Sequence, residues 1–111
     1  MQIELTRDAY KLLVLLYKRY LERRSEGVSK SLARRFGNVE DVRCQLLLSD
    51  QPDDVLETLR ELSRSKMIFC VYGDDSVVFF DLTDQAIIAM ENRFRNGVSD
   101  VLDFIGKIPF L

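Results

Sequence analysis

Two short motifs in this sequence contain residue types that enzymes use. Asp74 and Asp75 are adjacent between two apolar runs, and paired carboxylates of this kind can hold Mg²⁺. Ser63 and Lys66 have the S-x-x-K spacing of a serine nucleophile that works with a lysine. The aspartate pair lacks the further carboxylate on a neighbouring strand that such a metal site needs, and the S-x-x-K motif lacks its partner motifs. The five glycines are isolated, so the sequence has no Gly-rich phosphate loop. Gly-Asp-Asp-Ser is favourable turn chemistry, and S-R-S-K is typical of a polar helix end.

The chain contains no histidine, which excludes His-dependent triads, His-containing zinc sites and imidazole acid–base catalysis. Cys44 and Cys70 lie far apart among apolar neighbours and neither belongs to a C-x-x-C pair. We therefore expect two buried free thiols and no metal site. Together these features predict a non-catalytic protein that uses no cofactor.

The composition predicts one soluble globular domain. The chain has 111 residues, of which 47% are hydrophobic and 31% are charged. Seven Phe and four Tyr argue against disorder, and five Gly and two Pro favour long helices over a many-stranded barrel. The longest apolar run, residues 12–17, has six residues, whereas a membrane span needs about 20. With no signal peptide visible, we expect a cytoplasmic protein without a membrane partner.

Hydrophobic periodicity and capping residues predict a mainly helical α+β protein with one two-stranded hairpin. Thr6, Ser29 and Thr83 are suitable N-caps, and Pro52 suits a first helical turn because its missing N–H has no partner there. The predicted elements are a helix over 6–26, a short helix over 29–37, one or two helical turns within 38–49, a helix from 50 to 66, strands 67–72 and 77–82 joined by a four-residue turn, a helix over 83–96 and a last helix from 99.

This order of elements resembles a winged helix-turn-helix domain, with residues 73–76 as the tip of the wing. Residues 82–86 (LTDQA) resemble the start of the last helix of MarR- and PadR-like winged helices, and residues 28–33 (VSKSLA) the start of their second helix. MENRF, at 90–94, is similar to small winged-helix proteins of Gram-positive prophages and mobile elements. The segment 38–49 is longer than the usual connection. The resemblance implies a winged-helix domain over 1–96 followed by a C-terminal helical extension over 97–111.

The charges divide the chain into a basic front and an acidic back. Residues 1–37 hold nine Lys and Arg against four Asp and Glu, and residues 38–111 hold seven against fourteen. In a winged helix the second helix crosses the DNA backbone, so the resemblance implies phosphate contacts from the cations of this front part. Ordinary surface charge is the alternative interpretation. The phosphate-contact candidates are Lys30, Arg34, Arg35, Arg23 and Arg24.

The predicted recognition helix is acidic, which divides the functional prediction in two. Residues 53–64 contain four acids and two bases, and the wing tip adds two aspartates. Carboxylates repel phosphate, so Arg60 and Arg64 are the base-contact candidates. One prediction is a transcriptional regulator that binds double-stranded DNA with modest, electrostatic affinity. The other is a protein-interaction winged helix whose acidic helix and wing meet a basic protein partner.

Two apolar stretches exceed the needs of one small core and predict a homodimer. One is the run at 12–17 in the first helix, and the other follows Gly97. The alternative is that the C-terminal residues fold back and complete the core of their own protomer. The predicted interface residues are Val14, Leu15, Val101, Leu102, Phe104, Ile105, Ile108 and Phe110.

Overall fold

The computed structural model describes residues 4–46 and 48–107 of the chain. This part of the chain is mainly helical α+β, as the sequence predicts. None of its helices is long and apolar enough to cross a membrane. Its elements are, in chain order, α1 (Arg7–Ser25), α2 (Lys30–Ala33), β1 (Arg35–Phe36), α3 (Val39–Gln45), α4 (Pro52–Arg64), β2 (Ile68–Gly73), β3 (Ser76–Leu82), α5 (Asp84–Arg93) and α6 (Val98–Gly106).

Helix α1 is the central helix, and it begins where its capping residue predicts. The Thr6 hydroxyl accepts a hydrogen bond from the Ala9 backbone N–H. Beyond the other end of the helix, Gly27 adopts a positive φ of 89°, which favours glycine. Both Leu13 and Val14 are buried, so α1 presents more than one face to the core. It accordingly packs against α2, α4, α5 and α6.

The predicted hairpin is confirmed, but the sheet has a third strand. Its order is β1-β3-β2, with both pairings antiparallel. Phe36, which we expected on the inner face of a helix over 29–37, lies in β1 opposite Phe80. Helix α2 ends early because the Leu82 N–H donates to the Arg34 carbonyl and draws the chain into the sheet. The rings of Phe36 and Phe80 then stack with their centroids 5.4 Å apart.

The tip of the hairpin is tighter than predicted. Gly73 pairs with Ser76, which leaves a two-residue turn in place of the expected four. Asp74 and Asp75 have positive φ angles of 50° and 66°, a conformation that aspartate tolerates better than most residues. Two such residues give the turn a twist that matches the flanking strands.

The segment 38–49 contains a full helix, α3, which changes the expected helix-turn-helix pair. Asn38 and Asp41 form a reciprocal capping box at its start. Glycine at position 37 leaves room for this box, because a Cβ there would overlap the Asp41 carboxylate and displace it. Helix α3 buries Val39 and Val42 and packs against α4. The helix that precedes α4 is therefore α3 and not the predicted helix over 29–37.

The described part of the C-terminal extension joins the same core as the rest of the chain. Helix α5 ends at Arg93 rather than near Asn96, and α6 returns to pack on α1. The Phe104 ring lies 5.9 Å from Tyr10 and 5.5 Å from Phe94, in edge-on geometry, centroid to centroid. Val101 is fully buried.

Two leucines in helices provide a matched test of this core. Leu59 in α4 is 0% exposed, whereas Leu32 in α2 is 61% exposed. We expect Leu59→Ala to lower the free energy of unfolding by about 2–5 kcal/mol, because it removes buried methyl groups and leaves a cavity. Leu32→Ala should change it by less than about 0.5 kcal/mol. Urea denaturation followed by circular dichroism measures both; equal effects would contradict the assigned packing.

Candidate interaction surfaces

The Arg23 guanidinium, a predicted phosphate contact, is used inside the fold. It donates to the backbone carbonyls of Ala33 (3.2 Å) and Arg35 (2.6 Å), and to the Gln45 side-chain oxygen (2.7 Å). Its central carbon lies 4.5 Å from the centroid of the Phe36 ring. Burial lowers the pKa of this guanidinium. Arg23 therefore connects α1 with β1 and α3, and its donors are committed to the fold.

Arg34 and Arg35 were expected on the second helix, but both follow it and both pair with carboxylates. Arg34 Nη2 lies 2.7 Å from Asp84 Oδ1 at the start of α5. Arg35 donates from Nε and Nη2 to the two oxygens of Asp81, at 2.9 and 3.0 Å. This hydrogen-bonded pair raises the pKa of Arg35. Arg35 also lies over the Phe79 ring, 4.5 Å from its centroid. These two arginines bind β1 to its neighbours.

Lys30 and Arg24 are exposed and have no carboxylate partner among the described residues, whereas Arg35 is exposed but paired with Asp81. Arg24 Nη1 donates to the Val28 carbonyl at 3.1 Å, across the turn that follows α1. Lys30 is exposed in the first position of α2 and has no hydrogen bond or ion pair with any residue that the structure describes. Within the described residues, the predicted five-residue cationic set thus retains two side chains that are both exposed and not paired with a carboxylate.

The two base-contact candidates lie on α4, among carboxylates. Arg60 Nη1 is 3.6 Å from Glu57 Oε1. Its Nη2 donates weakly, at 3.4 Å, to the Asp75 carbonyl, so it connects α4 with the tip of the hairpin. Arg64 is exposed at the last position of the helix. Neither arginine changes the acidic character of this side of the molecule.

The exposed side of α4 and the tip of the hairpin form one acidic surface. Helix α4 turns Val55, Leu59 and Leu62 to the core, which leaves its carboxylates in solvent. The contact from Arg60 brings the hairpin tip to the same side. We call this set the acidic surface; it consists of Asp53, Asp54, Glu57, Asp74 and Asp75.

A groove of about 360 Å³ extends this acidic character toward α1. Within it, both Glu61 carboxylate oxygens accept hydrogen bonds of 2.7 Å, one from the Thr6 backbone N–H and one from its hydroxyl. Glu61 therefore connects α4 to the start of α1. The groove is lined by Thr6, Asp8, Lys11, Asp50, Asp54, Glu57, Thr58, Glu61 and Arg64.

The cysteines differ from the prediction in their exposure. Both are free thiols, but Cys44 is exposed on α3 rather than buried. Cys70 is half-buried, and burial raises the pKa of its thiol despite side-chain hydrogen bonds with Tyr72 and Ser63. Ser63 of the S-x-x-K motif is thus part of a small polar contact beneath β2. Across residues 4–46 and 48–107, no three His, Cys, Asp or Glu side chains are arranged to hold a metal ion.

The structure divides the predicted self-association residues. Val14 and Val101 are 1% and 0% exposed within the protomer itself, because α6 folds back on α1, so they have no surface to offer a second copy. Leu15, Phe104 and Ile105 are half-buried, and Leu102 is exposed. Ile108 and Phe110 lie outside the described residues.

The hairpin has exposed apolar side chains that are not among the predicted site residues. Phe69 is 65% exposed and Val78 is 52% exposed, and both were counted only as strand residues. The alternation of side chains along a strand could have predicted this exposure, because successive residues point to opposite faces of the sheet. A hairpin with apolar residues on both faces exposes the apolar residues of one face unless another layer of structure covers that face.

No family model, curated protein or solved structure matches this chain. The charges and contacts of its surfaces are therefore the basis on which a function is assigned.

The Arg23 contacts predict a stabilising role. We expect Arg23→Ala to lower the free energy of unfolding by about 1–3 kcal/mol, because two backbone carbonyls lose their donor. Arg24→Ala, at a neighbouring and exposed arginine, should change it by about 0.5 kcal/mol or less. Chemical denaturation of both variants makes the comparison. If Arg23→Ala is as stable as the parent protein, the guanidinium is not a structural link.

Tyr17 predicts a loss of stability at high pH. Its side chain is 2% exposed, and burial, aided by Glu91 and Tyr20, raises its pKa from 10.0 to about 12. Between these values the unfolded chain releases the phenolic proton and the folded chain keeps it. Stability contributed by Tyr17 is therefore full below pH 10 and falls by up to about 3 kcal/mol as the pH approaches 12. Denaturation from pH 9 to 12 should show a shallower decline for Tyr17→Phe; parallel curves would contradict this origin.

Proposed function

We propose that this chain is a non-catalytic winged-helix binding module that receives a cationic segment of a partner protein on its acidic surface. The observation that supports this most directly is the composition of that surface. Five carboxylates face solvent on α4 and the hairpin tip, and the arginines beside them are Arg60 and Arg64. A Lys- or Arg-rich segment complements this charge, whereas phosphate is repelled by it.

The order of elements supports the winged-helix part of this proposal. A long helix, a one-turn helix, a short strand, two packed helices and an antiparallel hairpin follow one another, with β1 paired to the hairpin strand β3. In this arrangement α3 and α4 take the place of the helix-turn-helix, and residues 73–76 form the tip of the wing. The surface used for recognition in such domains is then the acidic surface.

The internal use of arginine supports a protein partner over DNA. Arg23, Arg34 and Arg35 are bonded to carbonyls or carboxylates of the fold itself. A phosphate backbone would have to compete with those partners, and counterion release would be correspondingly small.

A DNA-binding transcriptional regulator is the second candidate. It is favoured by the helix-turn-helix order of α3 and α4 and by the exposed side chains of Lys30 and Arg24. In that case the duplex would contact the α1–α2 end of the molecule, away from the acidic surface, and its affinity would be electrostatic and strongly salt-dependent.

A titration of two labelled ligands tests both candidates. We expect a fluorescent Lys/Arg-rich peptide to bind, and the triple variant Asp53→Asn, Asp54→Asn, Glu57→Gln to weaken that binding about tenfold at low salt. The matched control neutralises three exposed carboxylates elsewhere, Glu26→Gln, Glu91→Gln and Asp103→Asn, and should change the affinity less than about twofold.

A labelled DNA duplex is titrated in parallel at the same ionic strength. Equal weakening of peptide binding by the two triple variants would show that total charge, and not the acidic surface, attracts the peptide. Duplex binding that Lys30→Glu abolishes, without any peptide binding, would replace the first candidate with the second.

A further inference from the structure

Strand β2 has an open edge. In residues 4–46 and 48–107 the sheet order is β1-β3-β2, so β2 has a neighbouring strand on one side only among these residues. Within the described residues, the backbone of β2 has hydrogen bonds with β3 and with no other element. Its sequence, Ile-Phe-Cys-Val-Tyr-Gly, contains neither a charge nor a proline. Proteins commonly use charged residues and prolines to protect an exposed edge from pairing, and β2 has neither.

The backbone groups at this edge are oriented for a further strand. The Leu82 N–H donates to Arg34 in β1, so Leu82 and its partner Ile68 are not a hydrogen-bonded pair. The N–H and C=O of Ile68 therefore point away from β3, and strand alternation directs those of Cys70 and Tyr72 the same way. The bulge does not interrupt this alternation, because its extra residue, Val78, belongs to β3.

The side chains of β2 limit how another strand can pair with it. Ile68 and Cys70 point toward the core, whereas Phe69 and Val71 point to the outer face of the sheet. A second β2 that keeps its own core on the same side must match inward residues with inward residues. Antiparallel registers centred on Phe69, Cys70 or Val71 meet this condition.

We propose that β2 pairs antiparallel with β2 of a second copy of this chain, with Cys70 opposite Cys70 of the second copy. Beyond the ends of β2, this register brings Lys66, in the turn before the strand, toward Asp74 in the hairpin turn of the second copy, so opposite charges meet at both ends of the joined strands. It also places Phe69 beside Val71 of the second copy, which covers the most exposed large apolar side chain of the described residues. The other two registers do not form this opposite-charge pair. A register centred on Phe69 brings Lys66 toward Tyr72 of the second copy, and one centred on Val71 carries Lys66 past both aspartates.

The proposed dimer forms one continuous six-stranded sheet. Three hydrogen-bonded residue pairs across the two-fold axis supply about six backbone hydrogen bonds. The dimer would use Asp74 of the acidic surface and leave its α4 carboxylates, Asp53, Asp54 and Glu57, exposed. Variants of α4 and of β2 therefore test the proposed function and the dimer separately. The β2 interface also differs from the interface predicted at α1 and α6, which allows the two to be separated by mutation.

Sedimentation velocity of the full chain over a concentration series tests the edge. We expect a monomer–dimer equilibrium. Phe69→Lys should raise its dissociation constant about tenfold or more, because the variant lacks the apolar ring that dimerisation covers. The matched controls are Val78→Lys and Leu102→Lys, which should leave the dissociation constant unchanged. Val78 is exposed on β3 away from the open edge, and Leu102 is exposed on α6. Thermal unfolding of each variant at monomeric concentration checks that the fold is intact.

A charge reversal tests the register. Lys66→Glu and Asp74→Lys should each weaken the dimer, and the double variant should restore it, because the pair is re-formed with opposite signs. Both residues have positive φ angles, 64° and 50°, so the thermal stability of each monomer records any backbone cost separately.

Chemical crosslinking tests the two-fold axis. In a Cys44→Ser background, diamide should join Cys70 to Cys70 of the second copy. Diamide takes the two thiol hydrogens with their electrons and is reduced to the hydrazine as the S–S bond forms. A hydrogen-bonded antiparallel pair has its Cα atoms about 5.5 Å apart, within disulfide range. Further replacement with Cys70→Ser should abolish the product.

Three results would overturn the proposal. The first is a chain that stays monomeric up to about 100 μM, because specific protein association would form dimers below that concentration. A dimer that Leu102→Lys disrupts and Phe69→Lys does not would assign the interface to α6. A dimer sensitive to Phe69→Lys that diamide does not crosslink would exclude the register centred on Cys70.

Discussion

The rest of this structure depends on how the fold satisfies the backbone around β1, a strand of two residues. Leu82 donates to the Arg34 carbonyl on one side, and the Arg23 guanidinium donates to the carbonyls of Ala33 and Arg35 on the other. These hydrogen bonds hold the chain between α2 and α3 against the sheet. That constraint ends α2 early, begins a separate helix at Val39 and makes α3 the neighbour of α4.

The same constraint determines which charges remain available on the surface. The basic front of the chain supplies the guanidiniums that hold β1 in place, and Arg35 adds a two-hydrogen-bond pair with Asp81. The acidic back of the chain contributes only a few carboxylates to such pairs, and those at the start of α4 and at the hairpin tip stay in solvent. A sequence with a net charge of −2 thereby acquires a strongly acidic surface. The bonds inside the fold therefore decide which charges face solvent.

Much of the local structure could be predicted from single residues. Thr6 and Thr83 cap α1 and α5 as expected, and Pro52 is the first residue of α4, because each of these effects acts within one helical turn. Strand β1 could not be predicted, because two residues show no periodicity and their partners lie 46 and 44 positions away, in the pairs Arg35–Asp81 and Phe36–Phe80. The candidate site was predicted by charge sign alone, so the acidic residues of α4 and the hairpin tip were identified, whereas the internal roles of Arg23, Arg34 and Arg35 were not.

Sequence alone determined that this is a mainly helical α+β chain with a hairpin before its penultimate helix. Hydrophobic spacing and capping encode such features locally. Tertiary structure decided which arginines remain free, that Val14 and Val101 are buried within one protomer, and that β2 is the open edge of its sheet. Each of these outcomes depends on contacts between residues far apart in the chain. A side chain of given type is a surface charge or an internal donor according to what the rest of the fold places beside it.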